Sequence, residues 1–439
     1  DVLKLVLFEK VNGSWTPIAD NLNPDSEGTS YTPGLALPAG NGEQTYVVGA
    51  YLPETAGNEY QGKHFHGNLV VKAFQTDEGA GAAEMATVQW VKDGETVGSY
   101  LVAFPEGETT MTLKPDANKL PAGYVLADPD ATVEVSTTDK TASFEVAFKA
   151  DGDGSSEEQA IWIRKASDFE KINENLDGYY KLARGIDLSD VDFQPIGGEE
   201  SKNNFTGTFD GNGYKITGLH VEAAKDEKPL KYAGLFTYCK NAEIKNVVLV
   251  DPQVTTGEYG GALAGVLSST NVENCHVIGG TVTWDDTGGS CYLGGLAGVA
   301  GDAIGDSTLT DCSSTADVTA EGTATSVVYV GGLIGEGYLN TTVDGCTASG
   351  NVTMTGDMQD EDTIALGGLI GWMNGTASNS SAKGNVSNES TGMAGRIYVG
   401  GFAGMLSDPA EDCEATGSVN NTGEAENVYV GEFSGNDAM

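Results

Sequence analysis

Residues 329–335 read YVGGLIG, and the same line returns along the chain as YLGGLAG (292–298), LGGLIG (366–371), YVGGFAG (398–404) and YVGEFSG (429–435). A looser copy, GALAG, occupies 261–265, and YAGLF at 232–236 opens the series. Aligned on their first glycine, the copies fall at Gly261, Gly294, Gly331, Gly367, Gly400 and Gly431, with spacings of 33, 37, 36, 33 and 31 residues. A period in this range marks a solenoid, a propeller or an array. Helical repeats would show apolar residues at helical spacing with Leu, Ala and Glu; these repeats are built from Gly, Val, Thr and Asn. A propeller blade needs four strands in roughly 40 residues. Each repeat here reads as about three short strands, VVYVGGLIG, TTVDGCTA and GNVTMTG. That pattern predicts the triangular coil of a parallel β-helix, which buries its interior only by stacking on neighbours about 4.8 Å away.

The repeated line must therefore fit the same hole in every coil. By alternation, Val330 and Leu333 or Ile334 are expected to face the bore. The glycine pairs Gly294 and Gly295, Gly331 and Gly332, Gly367 and Gly368, and Gly400 and Gly401 admit tight turns and close backbone approach. Four of the six cysteines, Cys275, Cys312, Cys346 and Cys413, fall at one equivalent site, with Val247 and Ser380 standing in at the remaining coils. Val and Ser replace a small buried residue and not a metal ligand, so the column reads as buried reduced thiols. Cys239 and Cys291 lie outside it, and no cysteine spacing matches a zinc motif.

The 439 residues carry 64 Asp+Glu against 23 Lys+Arg, a net charge of −41. From 246 to 439 there are 25 acidic residues and two basic ones, Lys383 and Arg396. Phosphate binding needs a basic surface, so nucleic acid and anionic membrane are poor partners. Dense acid also keeps a repetitive β protein soluble and discourages edge pairing. No run of about 18 apolar residues is present, so no insertion into a membrane is expected. The chain opens directly in the strand-like DVLKLVLFEK without a signal peptide, as a fragment of a longer precursor would.

Upstream of the repeats, residues 1–82 alternate in β-like runs (VLKLVLFEK, QTYVVGAYL, HGNLVVKAFQT), and 83–150 form a second small β unit. ADGDGSSEE (150–158) reads as a linker, taken as 151–158. The repeat region is then 159–439, with Ser167 capping a short helix over about 167–176. The expected fold is all-β: a β-solenoid of about seven coils, roughly 30 Å of stacked strands, preceded by two small β domains.

IWIRKASDFEKINENLDGYYKLARGIDLS (161–189), FQPIGG (193–198) and FTGTFDGNGYKITGLHV (205–221), followed by the GGLIG lines, resemble the GLUG-repeat proteins of bacterial cell surfaces over about 280 residues. The resemblance implies a right-handed β-solenoid and an extracellular or wall-associated setting, and no particular reaction. YLPETAGNEYQGKHFHGNLVVKAFQTDEGA (51–80) is similar to the TasA/camelysin family of secreted β-sandwich proteins in Gram-positive biofilm fibres, which implies a partial sandwich over about 1–82. TVQWVKDGETVGSY (87–100) with LPAGYVLADPD (120–130) is similar to small β-grasp or mucin-binding modules of adhesins.

Candidate chemistry is sparse. His64 and His66 alternate on a strand and could present two imidazoles to zinc, as the camelysin resemblance suggests, but no HExxH motif accompanies them. His220 and His276 stand apart. LPETAG (52–57) lacks the tail of a sortase signal and reads as a turn. Asp210 and Asn212 in FDGNG, and Asp151 and Asp153 in DGDGSS, offer oxygens that can hold calcium, although FDGNG also reads as a positive-φ turn. Asp360, Glu361 and Asp362 form an acidic loop. Trp284 beside Asp285 and Asp286 is the best sugar-binding candidate, because carbohydrate cleavage needs carboxylates near aromatic platforms. Tyr292, Tyr329, Trp372 and Tyr398 are also aromatic, but the tyrosines recur with the repeat and read as structural. Asn351-Val-Thr and Asn385-Val-Ser recur as sequons for the same reason. The function expected is a non-enzymatic adhesin, biofilm-matrix or stalk component without a cofactor, binding a glycan or matrix protein or self-associating. A carbohydrate-active β-helix is the alternative, and a camelysin-type metallopeptidase a second.

Overall fold

The structure, a computed structural model, describes residues 4–11, 14–22, 46–51, 84–105, 107–198, 203–222, 229–303, 305–358 and 363–438. The chain divides into two compact units, one of residues 1–120 with 126–147, the other of residues 121–125 with 148–439.

In the first unit, Lys4–Val11 pairs antiparallel with both Ser14–Leu22 and Tyr46–Tyr51. A second sheet places Met85–Lys92 between antiparallel Glu95–Ala103 and parallel Thr141–Phe148. Asp93 and Gly94, both at positive φ, make the tight hairpin between the first two. Alternation buries Ala86, Val88 and Trp90 against Ala142, Phe144 and Val146. The Trp90 indole N–H donates to the Lys119 carbonyl at 2.9 Å, so the ring is buried without an orphaned donor.

The second unit is a parallel β-solenoid. Its coils contain five short strands, not three, and these stack into five parallel sheets. In one coil the strands are Glu243–Lys245, Val248–Val250, Gln253–Thr256, Tyr259–Gly260 and Ala264–Ser268. We number the sheets one to five in that order. The third carries seven strands, one per coil. Partners are in register from coil to coil: Val254, Val282, Val318, Val352 and Val386 form one inward column of the third sheet.

The extra strands arise at corners. One is built by left-handed residues: Asn246, Asn274, Asp311, Gly345, Asn379 and Asp412 lie at φ of 55, 51, 53, 65, 50 and 50° between the first and second sheets. Asn and Asp tolerate this conformation better than other L residues. Their side chains continue the stack, with the Asn274 amide donating to Asn246 Oδ1 at 2.8 Å and the Asn246 amide to Asp210 Oδ1 at 3.0 Å.

The other corner lies inside YVGGLIG. Val327–Gly331 belongs to the fourth sheet and Ile334–Gly337 to the fifth, so the line turns between them. Val330, Leu333 and Ile334 are all fully buried, because the turn resets the alternation. A Cβ on Gly331 would lie 2.1 Å from the Ile334 carbonyl oxygen and 2.6 Å from that of Leu369 in the next coil. One on Gly335 would lie 2.5 Å from Leu293 N. Close approach of three backbones therefore excludes a side chain at both positions.

The solenoid opens on Trp162 and Ile163, followed by a 3-10 turn, Ala166–Phe169, and helix α1, Glu170–Glu174. Ser167 does not cap the helix. Asp168 accepts from the Arg164 amide at 2.9 Å, while Phe169 and Ile172 pack on the first coils through Phe193 and Phe209. Residues 152–160 fold back on themselves, with Gly152 N–H donating to the Ala160 carbonyl and Gly154 N–H to that of Gln159.

Candidate functional site

Because Val328 and Val330 face the core, Tyr329 between them must face outward. The register repeats this coil after coil, aligning Tyr232, Tyr259, Tyr292, Tyr329, Ala365, Tyr398 and Tyr429 on the outer face of the fourth sheet. Ring centroids are 4.9 Å apart from Tyr232 to Tyr259, from Tyr259 to Tyr292 and from Tyr398 to Tyr429, the stacked geometry set by strand spacing. Tyr292 and Tyr329 meet edge-on at 5.6 Å. Where alanine interrupts the ladder at 365, Trp372 of the fifth sheet swings across, 5.3 Å from Tyr329.

The outer row of the fifth sheet runs alongside. Tyr238, Val266, Val299, Glu336, Trp372 and Met405 occupy one register column. The two rows form a strip in which Tyr232, Tyr238, Tyr259, Tyr292, Trp372, Met405 and Tyr429 are partly exposed, while Val266, Val299, Tyr329, Tyr398 and the one carboxylate, Glu336, are buried against their neighbours. Glu336 is only 7% exposed and makes no hydrogen bond or ion pair among the described residues. Burial pushes its carboxyl up to about 7. Burial also raises Tyr292, to about 12, and Tyr329, with the Glu336 charge adding to both shifts.

At the other end the strip has an internal cation. Lys231 Nζ lies 5.4 Å from the Tyr232 ring centre and 5.7 Å from that of Tyr259, and pairs with Glu258 at 3.2 Å. Burial lowers the lysine pKa, but the Glu258 hydrogen bond and charge outweigh it and the net shift is upward.

The residues singled out from sequence fall elsewhere. Trp284 is fully buried, its indole N–H donating to the Gly257 carbonyl at 2.9 Å, so it offers no face to a sugar. Asp285 is exposed, and Asp286 Oδ1 accepts from the Thr287 amide at 2.7 Å. Asp360, Glu361 and Asp362 lie outside the described residues, as do His64, His66 and the LPETAG segment. Asp210 is 3% exposed and faces the Lys181 ammonium at 3.0 Å, the Asn246 amide and the Asn212 N–H. Burial raises its pKa, but those bonds outweigh it, and the carboxylate is held below its usual range. Asp151 pairs with Arg164 at 2.6 Å and Lys171 at 3.2 Å, and Asp153 accepts from the Ser155 amide. Asp210 and Asp151 thus already face cations, which is a poor start for a calcium cage of six or more oxygens. Asn212 and Gly213, at φ 52 and 74°, form a turn. His276 bonds Ser313 and Asn274, and His220 sits 3.5 Å from Glu222.

Cys275, Cys312, Cys346 and Cys413 stack beside the left-handed corner and are not disulfide-bonded. Their thiols donate to the carbonyls two residues upstream, at 3.3, 3.3, 3.4 and 3.2 Å. Hydrogen bonding to Cys275 and burial push the Cys312 thiol well up, and burial alone does so for Cys239 and Cys291 in the core. Among the described residues no three His, Cys, Asp or Glu side chains converge as a metal site.

The fold is thus a parallel β-solenoid bearing an external aromatic ladder. The family model for the GLUG motif matches residues 289–319, which run from the fourth sheet through the GGLAG corner into the third sheet of the next coil, a single turn of the solenoid. Halomucin of Haloquadratum walsbyi (strain DSM 16790 / HBSQ001) is 30% identical over 219 residues, covering 46% of this chain and 2% of that protein. The chain therefore spans a small fraction of its relative's length. Among solved structures, a protein provisionally assigned as an immunoglobulin A1 protease from Bacteroides ovatus aligns at TM-score 0.45 and 19% identity, over 63% of this chain and 86% of its own. An IgA1 protease aligns at TM-score 0.41 and 16% identity, over 96% of this chain and 27% of its own. Likeness at this level bears on neither activity nor substrate.

Proposed function

We propose that the chain is a non-enzymatic, secreted or cell-surface module that makes its contacts through the outer tyrosine–tryptophan strip. The ladder itself carries the reading. The partly exposed rings of Tyr232, Tyr259, Tyr292, Trp372 and Tyr429, spread over several coils, form a surface for an extended partner, and aromatic residues are enriched where proteins bind. A net charge of −41 directs that surface toward neutral glycans or basic proteins and away from nucleic acid and anionic lipid. The GLUG motif and the likeness to halomucin support a place outside the cell. Self-association through the strip is a further mode of the same surface.

The test is binding of the purified chain to an array of glycans and extracellular-matrix proteins, with product analysis of every bound glycan. Saturable binding lost on Trp372→Ala supports the reading. Binding indifferent to Trp372→Ala, or turnover of a bound glycan, overturns it.

A further inference from the structure

Glu336 is the anomaly of the strip. A carboxylate so largely removed from water is costly unless it is paired, and this one, 7% exposed, has no side-chain partner among the described residues. Val299 and Trp372 flank it along the fifth sheet, the Trp372 ring lies 5.3 Å from that of Tyr329, and the Tyr329 ring 5.6 Å from that of Tyr292. Aromatic rings beside a carboxylate are chemistry that can recognise an organic cation, because the ring quadrupole and the anion attract it together. The same strip already shows the filled version, where Lys231 lies over Tyr232 and Tyr259 and pairs with Glu258.

We propose that Glu336, beside Trp372 and the Tyr292–Tyr329 ring pair, binds the ammonium group of a lysine side chain presented by another polypeptide. This rests on the reading of the strip as a contact surface and names what it contacts. Val299, the register neighbour of Glu336 in the preceding coil, is apolar and suits a methylene stem. An amino sugar carries the same charge, and glucosamine separates that source from a lysine side chain in the test. The acidity of residues 246–439 adds long-range attraction for a basic partner.

The test uses the full chain and three probes: the peptide acetyl-Gly-Lys-Gly-amide, its norleucine counterpart, and glucosamine. Binding is followed by tryptophan fluorescence and calorimetry at 0.15 M salt and pH 8. The lysine peptide is expected to bind saturably, the other two at least tenfold more weakly, and Glu336→Gln to lose about tenfold for lysine alone. Circular dichroism verifies that this variant folds. Equal binding of norleucine or glucosamine, or no loss in Glu336→Gln, overturns the proposal. If no probe binds while Trp372→Ala still abolishes array binding, the ammonium assignment fails and the contact surface stands.

Discussion

Substituting Glu336 by Gln isolates the cost of the desolvated carboxylate. Burial raises this group from its usual 4.5 to about 7. Since a tenfold change in proton affinity corresponds to 1.36 kcal/mol, this rise to about 7 is worth about 3 kcal/mol. The folded chain holds the proton more tightly than the unfolded chain. The associated stability is therefore fully present below pH 4.5 and lost as pH rises through about 7. Gln has the shape of the protonated acid and does not titrate. Wild type and Glu336→Gln should be equally stable at pH 4, while at pH 8.5 the variant should be the more stable by about 3 kcal/mol. The other acidic residues titrate in both proteins and cancel in the difference. Urea unfolding followed by tryptophan fluorescence and circular dichroism at several pH values gives that difference. A stability gap that does not change between pH 4 and pH 8.5 would refute the burial of an ionisable, unpaired Glu336.

Gly335→Ala puts a Cβ 2.5 Å from the Leu293 amide nitrogen and 2.8 Å from the Tyr329 carbonyl oxygen, both backbone atoms that cannot step aside. It should destabilise the chain by about 3 kcal/mol or more, read as a fall in the urea midpoint. Asn274 sits at φ 51° and donates to Asn246. Asn274→Ala should cost about 1 kcal/mol more than Asn274→Gly, because only the alanine adds left-handed strain, and thermal unfolding of the pair checks it. Five of the six cysteines are buried, and Cys413 alone is partly exposed. A thiol reagent should therefore label Cys413 first in the native chain and the other five only on denaturation, counted by mass spectrometry.

The period of the repeat and the inward placement of Val330 were legible because glycine spacing and apolar alternation are local signals. The number of strands per coil was not read correctly. YVGGLIG looks like a single strand, yet Gly331 and Gly332 bend it between two sheets. The other corner did leave a mark that went unused: each column residue follows Asn, Asp or Gly, as in Asn274-Cys275, Asp311-Cys312 and Asn379-Ser380. The orientation of Trp284 was also readable, since Val282 two residues earlier faces inward and alternation takes Trp284 with it. The same logic places Tyr329 outside, where the recurrence of tyrosine had suggested a purely structural role. The burial of Glu336 could not be read, because it depends on Tyr329 across the corner and Trp372 one coil on. Those neighbours exist only once the coils are stacked.

The central claim is that the solenoid keeps Trp284 inside and turns the Tyr–Trp strip outward. Hydroxyl-radical footprinting of the native chain, read residue by residue by mass spectrometry, tests this directly, because a one-residue slip in register exchanges every inward and outward side chain. The account predicts oxidation of Trp372, Tyr232 and Tyr292 with Trp284 protected until the chain unfolds. Oxidation of Trp284 in the native state as rapid as that of Trp372 would contradict it.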